Sequence, residues 1–201
     1  ALSMNACPSE FAPFTARNKE SFPTFRESIV IEVIAVLVDR CPNGLVRILV
    51  ADVSGHGLTA ALGTLALSSI FYSSTERGEG FESTLQIMNR ELMLGLPTNL
   101  FSGAVLIEVD RPNSKAVIAN AGMPPVLVCQ RTGVREIVSS NLPLGISKNV
   151  QLTSECVQLG AGDQIYAMSD GIAERANAER ELFGNHRVRK TLEFTPSSQR
   201  F

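Results

Sequence analysis

Apolar residues are arranged along this chain in two alternating patterns. Some segments are almost continuously apolar and rich in Val and Ile, whereas others repeat an apolar residue every three or four positions. A continuous apolar run is typical of a strand that is buried on both faces. An apolar residue every three or four positions is typical of an amphipathic helix, because a helix has about 3.6 residues per turn. The order of the patterns predicts strands, then two helices, then more strands and a final helical piece.

The first strands are predicted before Asp52. Residues 29–38 read IVIEVIAVLV, a run that predicts a central strand covered on both faces of its sheet. Residues 42–44 (Pro-Asn-Gly) form a turn sequence, and residues 45–50 return as a second apolar strand. Residues 29–52 are therefore predicted to form a hairpin that ends at Asp52.

Two helices are predicted after this hairpin. Residues 58–69 consist mainly of Ala, Leu, Gly and small hydroxyl residues, which allow a helix to pack closely against a sheet. Residues 81–94 repeat apolar residues at helical spacing, and these are expected in the core: Phe81, Leu85, Met88 and Leu92. The segment 77–80, which contains Gly78 and Gly80, joins the two helices.

The second half of the chain is predicted to be mainly extended. Apolar segments bounded by turn residues predict strands at 101–109, 115–120, 125–129, 150–159 and 164–168, with a helix opening at 188–192. Strands, two helices, strands and a terminal helix predict an α+β fold. In such a fold two sheets pack on each other and the helices lie outside.

Composition narrows the class of protein without identifying it. With 201 residues, 44% hydrophobic and 19% charged, the chain is expected to be one domain spanning residues 1–201. The net charge of -2 predicts no nucleic-acid or anionic-membrane partner. No membrane-spanning run or signal-peptide pattern is found, so a cytoplasmic location is expected. The four dispersed cysteines predict neither a zinc site nor a disulfide framework.

Two acidic turns carry the candidate chemistry. Asp52 ends one apolar run and is followed by Gly55-His56-Gly57, and Asp170 with Gly171 ends another. If both strands end at the same edge of a sandwich, the carboxylates lie close together, and a divalent cation such as Mn²⁺ or Mg²⁺ relieves their repulsion. A pair of such cations directs hydroxide at a phosphoryl group. Each motif alone also has the simpler interpretation of turn chemistry.

Other chemistries fit the Asp52 region less well. Ser54 lacks the Gly-x-Ser-x-Gly context of a hydrolase nucleophile. The glycine pair at 55 and 57 lacks the Lys-Ser/Thr of a phosphate-binding P-loop. His56 is interpreted as a rim or packing residue rather than a metal ligand.

Several sequence blocks occur together in a characteristic order. They include Asp52-Val53-Ser54-Gly55-His56-Gly57, Phe101-Ser102-Gly103-Ala104-Val105, Asn120-Ala121-Gly122-Met123-Pro124-Pro125, Leu142-Pro143-Leu144-Gly145, Ser169-Asp170-Gly171-Ile172-Ala173-Glu174 and Phe183-Gly184. In this the chain resembles the metal-dependent (PPM-type) serine/threonine phosphatases of the SpoIIE/RsbU branch. The resemblance runs from about Asp52 to Gly184.

The resemblance implies an α-β-β-α sandwich of two antiparallel sheets flanked by helices, with a binuclear Mn²⁺ or Mg²⁺ centre at one edge. By position, Asp52 would bridge two metals, the Val53 carbonyl would hold one, and Asp170 would bind one, so Asp52 and Asp170 are the candidate catalytic residues. The implied substrate is a phosphoserine or phosphothreonine on a partner protein, often an anti-sigma-factor antagonist. The implied context is the output domain of a longer signalling protein, behind a receiver or sensory domain, and a homodimer is one expected assembly.

The chain departs from the family pattern near the expected metals. An apolar residue, Ile34, stands where the family has a metal-ligand Asp, and Glu32 would replace it only through a slip or bulge of the strand. Met123 stands where the family usually has His, and the family's last Asp-Asp motif would lie beyond Phe201. Two hypotheses follow: a metal-dependent phosphoprotein phosphatase, or a pseudophosphatase that binds a regulatory protein without turnover.

Overall fold

The computed structural model of the protein describes residues 27–31, 34–95, 100–148 and 152–194. Within these residues, nine strands and three helices are formed. The strands are β1 (Glu27–Ile31), β2 (Ile34–Arg40), β3 (Val46–Val53), β4 (Ser102–Asp110), β5 (Lys115–Ala121), β6 (Val126–Gln130), β7 (Gly133–Ile137), β8 (Glu155–Gln158) and β9 (Gln164–Tyr166). The helices are α1 (Gly57–Glu76), α2 (Phe81–Gly95) and α3 (Gly184–Phe194).

The strands form two antiparallel sheets. Six strands pair in the order β1-β2-β3-β4-β5-β8, and three pair in the order β7-β6-β9. The chain reverses between β2 and β3 at the predicted turn, where Gly44 adopts a φ of +88° and its N–H donates to the Cys41 carbonyl at 2.9 Å. That positive φ explains the glycine, because an L side chain is strained in the left-handed region.

Three clusters of buried apolar residues lie between the layers of the fold. Helices α1 and α2 cover one face of the large sheet, where Phe71, Leu85 and Leu49 belong to one buried cluster. The two sheets pack on each other through a second cluster, and α3 covers the outer face of the small sheet through a third. The layers are therefore helix, sheet, sheet and helix, and the predicted α-β-β-α sandwich is confirmed.

The prediction of a single central strand over residues 29–38 is wrong. Ile31 lies directly opposite Ile34, so the chain folds back between β1 and β2 and the run supplies two antiparallel neighbours. β1 occupies the edge of the large sheet and β2 lies inside it. The run contains no Gly or Pro, and Glu32 is its only polar residue, so its sequence carries no turn signal that marks a reversal.

The helices agree with the sequence patterns in position, and one differs in length. α2 begins at the predicted Phe81, and its expected core residues are buried: Phe81, Leu85, Met88 and Leu92. α1 continues seven residues beyond the predicted end at 69, because Phe71 extends its buried face. It stops where Gly78 adopts a φ of +66°.

Two further findings concern the cysteines and the possibility of a membrane-spanning helix. Cys41 is a buried free thiol, whereas Cys156 is disulfide-bonded, so the prediction that the cysteines form no disulfide framework is wrong for Cys156. Among the described parts of the chain, none of the helices combines the length and the apolar character needed to cross a membrane.

Candidate functional site

The two predicted aspartates come from different sheets. Asp52 is the penultimate residue of β3 in the large sheet, and Asp170 follows β9 of the small sheet by four residues. Burial and then the charge of Asp170 raise the pKa of the Asp52 carboxyl. The charge of Asp170, which follows the small sheet, thus acts electrostatically on Asp52 of the large sheet. Asp52 is half-buried and Asp170 is exposed.

Asp52 sits in a row of three residues across the large sheet. Ile34 of β2 lies directly opposite it on one side, and Gly103 of β4 lies directly opposite on the other. Directly opposite residues of antiparallel strands share a face. By strand alternation this is the face of Val50 and Val105, which pack in the core between the sheets. The row therefore forms the end of the inter-sheet layer.

Met123 covers the Gly103 side of this row. A Cβ built on Gly103 would lie 2.7 Å from the Met123 Sδ and 3.3 Å from its Cγ. Met123 is only 5% exposed and belongs to the inter-sheet core. Asp52 therefore has Ile34 on one flank and Met123 above Gly103 on the other. These apolar groups explain why burial is the main cause of the raised pKa of Asp52.

A buried polar network holds Met123 in place. The Met123 N–H donates to the Asn120 Oδ1 at 3.0 Å, and the Asn120 Nδ2 donates to the Pro124 carbonyl at 2.9 Å. Asn141 Nδ2 donates to the Asn120 carbonyl at 2.9 Å. Both asparagines are buried, and each bond satisfies a group that would be costly to leave unpaired. The sequence did not predict that Asn120 anchors Met123, although Asn120 belongs to one of the sequence blocks that carry the family resemblance.

The segment after Asp52 is fixed to the start of β4. The Ser54 N–H donates to the Phe101 carbonyl at 2.9 Å, and the Phe101 N–H donates to the Ser54 Oγ at 3.0 Å. Ser102 Oγ donates to the Asp52 carbonyl at 3.0 Å. Ser54 therefore stabilises the backbone of this turn through its N–H and its hydroxyl oxygen.

The glycines after Ser54 shape the entry into α1. Gly55 and Gly57 have φ values of +91° and +69°, which L side chains rarely adopt. His56 precedes the first helical residue, is exposed, and makes no side-chain capping hydrogen bond. The first-turn N–H groups of α1 therefore receive no help from His56 and are suited to an anion.

The oxygen donors at this edge suit one divalent cation better than two. The ligands expected from the sequence, which are the Asp52 and Asp170 carboxylates and the Val53 carbonyl, are oxygen donors of the kind that Mg²⁺ and Mn²⁺ accept. Within the described residues no group of three or more His, Cys, Asp or Glu side chains is arranged to hold a metal ion. Ile34 contributes no donor, and Glu32 lies outside the described residues. The described donor set does not fit a binuclear centre.

Comparison with known proteins places these features in a family. The family described as "Stage II sporulation protein E (SpoIIE)" matches residues 42–200. Phosphoserine phosphatase RsbP of Bacillus subtilis (strain 168) is 22% identical over 132 residues, which are 63% of this chain and 33% of that protein. The chain spans a third or less of the length of the curated relatives it matches.

Solved structures share the fold. The SiaA-PP2C domain of Pseudomonas aeruginosa has a TM-score of 0.71 at 20% identity, covering 84% of this chain and 68% of that one. The PP2C phosphatase domain of SpoIIE from Bacillus subtilis, solved with a fragment of its regulatory domain, has a TM-score of 0.70 at 19% identity, covering 83% and 49%.

Proposed function

The chain belongs to the SpoIIE family of PP2C-type phosphatases, and on that premise we propose that it hydrolyses phosphoserine or phosphothreonine on a partner protein. The observation that supports the proposal is an electrostatic interaction between carboxylates of the two sheets: burial first, and then the charge of Asp170, raise the pKa of Asp52. Two carboxylates from different sheets interact despite their repulsion, which is typical of a functional site rather than of a stabilising one.

A single Mn²⁺ or Mg²⁺ would be held by the Asp52 and Asp170 carboxylates and the Val53 carbonyl. When bound, the cation supplies positive charge that polarises the phosphoryl group. The residues of the chain do the positioning. Ser102 fixes the Asp52 carbonyl through its hydroxyl, and the N–H groups at the start of α1 offer donors to phosphate oxygens.

The partner that fits this family is a phosphorylated regulatory protein of the anti-sigma-factor-antagonist type. The named relative RsbP is a phosphoserine phosphatase, which supports phosphoserine as the group removed. We further propose that residues 1–201 act as one output domain controlled by an upstream receiver or sensory domain in the cytoplasm, and that the domain works as a homodimer.

The decisive experiment is hydrolysis of a phosphoserine peptide and of a small aryl phosphate, with Mn²⁺ and with EDTA. We expect turnover that requires Mn²⁺ and that falls more than roughly tenfold in Asp52→Asn and in Asp170→Asn. Glu82→Gln, which removes an exposed carboxylate in the first turn of α2, is the matched control and should keep full turnover. Equal turnover in all four proteins would contradict the proposal.

A second function, phosphoprotein binding without turnover, is favoured by one observation. Ile34 faces Asp52 directly across the strand pair, where it brings no oxygen to a cation. A folded protein that binds the phosphopeptide in a pull-down or calorimetric titration, yet shows no turnover above Asp52→Asn, would establish this function and exclude the first.

A further inference from the structure

The neighbours of Asp52 limit how many cations the site can hold. We infer that this domain binds one divalent cation, not a pair, and that Ile34 is the residue that excludes the second. The inference rests on the proposed function in that it takes Asp52, Val53 and Asp170 as the ligands. It concerns the number of cations bound, which is measured separately from turnover.

Among the described residues, the β2 side of Asp52 offers no ligand. Ile34 and Asp52 are register partners, and side chains at such positions have Cβ atoms about 4.5–5.5 Å apart. A carboxylate at position 34 would be near enough to share a cation with Asp52. The isoleucine side chain has no lone pair, so a cation placed between the two strands would keep its waters on that side or lose coordination.

The β4 side of Asp52 is equally poor in donors. Gly103 has no side chain, and the space above it is taken by the Met123 thioether, 2.7 Å from where a Cβ would stand. The hydrogen bond from the Met123 N–H to Asn120 fixes the residue there. A thioether is a soft ligand that hard cations such as Mg²⁺ and Mn²⁺ disfavour. Among the described residues, neither flank of Asp52 therefore supplies ligands for a second cation.

The balance of charge at the site also favours one bound cation. The two carboxylates carry two negative charges, which one divalent cation neutralises. A second divalent cation beside a half-buried Asp52 would leave two positive charges uncompensated next to Ile34 and Met123. Uncompensated charge near apolar groups is costly. One added carboxylate at position 34 would halve this excess of positive charge and bring an oxygen ligand, so we expect it to admit a second cation.

Mn²⁺ binding followed by electron paramagnetic resonance tests this inference on the full chain. The signal of free Mn²⁺ is titrated against protein, which gives the number of sites without any substrate. We expect one site in the unaltered protein, weaker binding by more than roughly tenfold in Asp170→Asn, and two sites in Ile34→Asp. Ile34→Asn, of similar size but uncharged, is the matched control and should remain at one site.

Two sites in the unaltered protein would overturn the inference, and so would a folded Ile34→Asp that still binds one. If Ile34→Asp does not fold, the count in the unaltered protein alone decides. The proposed function fails by a different result, namely absence of Mn²⁺-dependent turnover. Two Mn²⁺ sites with normal turnover would refute only the inference of a single cation. One Mn²⁺ site without turnover would refute only the proposed phosphatase function.

Discussion

At the scale of single residues, the turn that carries Met123 depends on Gly122. Its φ is +80°, and a Cβ built there would collide with the Pro143 ring. Its N–H donates to the Ser139 Oγ at 2.7 Å. Gly44 provides a contrast, because it has a similar φ of +88° but open space around it. Backbone strain is common to both glycines, and only Gly122 adds a steric conflict.

Gly122→Ala is therefore expected to destabilise the domain more than Gly44→Ala. Left-handed backbone costs an alanine about 1–2 kcal/mol at either position, and overpacking against Pro143 adds roughly 1–3 kcal/mol at Gly122 alone. Urea unfolding of the two variants measures the difference. Equal free energies of unfolding would show that Pro143 moves aside freely and that the turn is not rigid.

At the scale of elements, a buried arginine ties two strands to a helix. Arg47 of β3 is 1% exposed and lies opposite Glu108 of β4. Its Nη2 donates to the Glu108 Oε2 at 2.6 Å and to the Glu79 carbonyl at 2.8 Å. Its Nη1 donates to the Thr84 Oγ1 of α2 at 3.1 Å. Arg47 thus fixes the start of α2 against the sheet, at the opposite end of β3 from Asp52.

Arg47→Met should destabilise the domain by about 3 kcal/mol, because it leaves the Glu108 carboxylate, which is only 13% exposed, without its partner. The double variant Arg47→Met with Glu108→Met should lose much less, since it removes both charges. Thermal or urea unfolding of both single variants and of the double variant completes a double-mutant cycle. Additive losses in the double variant would mean that the two side chains do not act as a pair.

At the scale of the whole molecule, the candidate site joins the two sheets. Asp52 belongs to the large sheet and Asp170 follows the last strand of the small one. A cation held by both carboxylates would link the two layers and offset both causes of the raised pKa of Asp52, which are burial and then the charge of Asp170. Binding of this kind stabilises the folded molecule, because the unfolded chain does not bring these residues together.

Mn²⁺ is accordingly expected to raise the Tm. At a concentration of about 100 times Kd the linkage amounts to about 2.7 kcal/mol, and at the same Mn²⁺ concentration the rise in Tm should be clearly smaller in Asp52→Asn and in Asp170→Asn. Differential scanning calorimetry with Mn²⁺ and with EDTA measures it, and Glu82→Gln should respond like the unaltered protein. A rise of the same size in Asp170→Asn would show that the cation binds elsewhere or within one sheet.

Much of the fold could be predicted because its signals are local. The helical spacing of Phe81, Leu85, Met88 and Leu92 located α2 at its correct start, and turn residues separated most strands. The error over residues 29–38 arose where the local signal was uniform, since an apolar run has no period that shows a reversal. The end of α1 was missed because Phe71 continues the helix through burial rather than through propensity.

The sequence by itself determined which residues are the candidates for the chemistry, namely Asp52 and Asp170 in two acidic turns that also contain glycine. Only the tertiary structure decided what surrounds them. The row of Ile34, Asp52 and Gly103, and the placement of Met123 above it, depend on strand register and on the packing of one sheet on the other. These relations join residues far apart in the chain, so no local pattern encodes them.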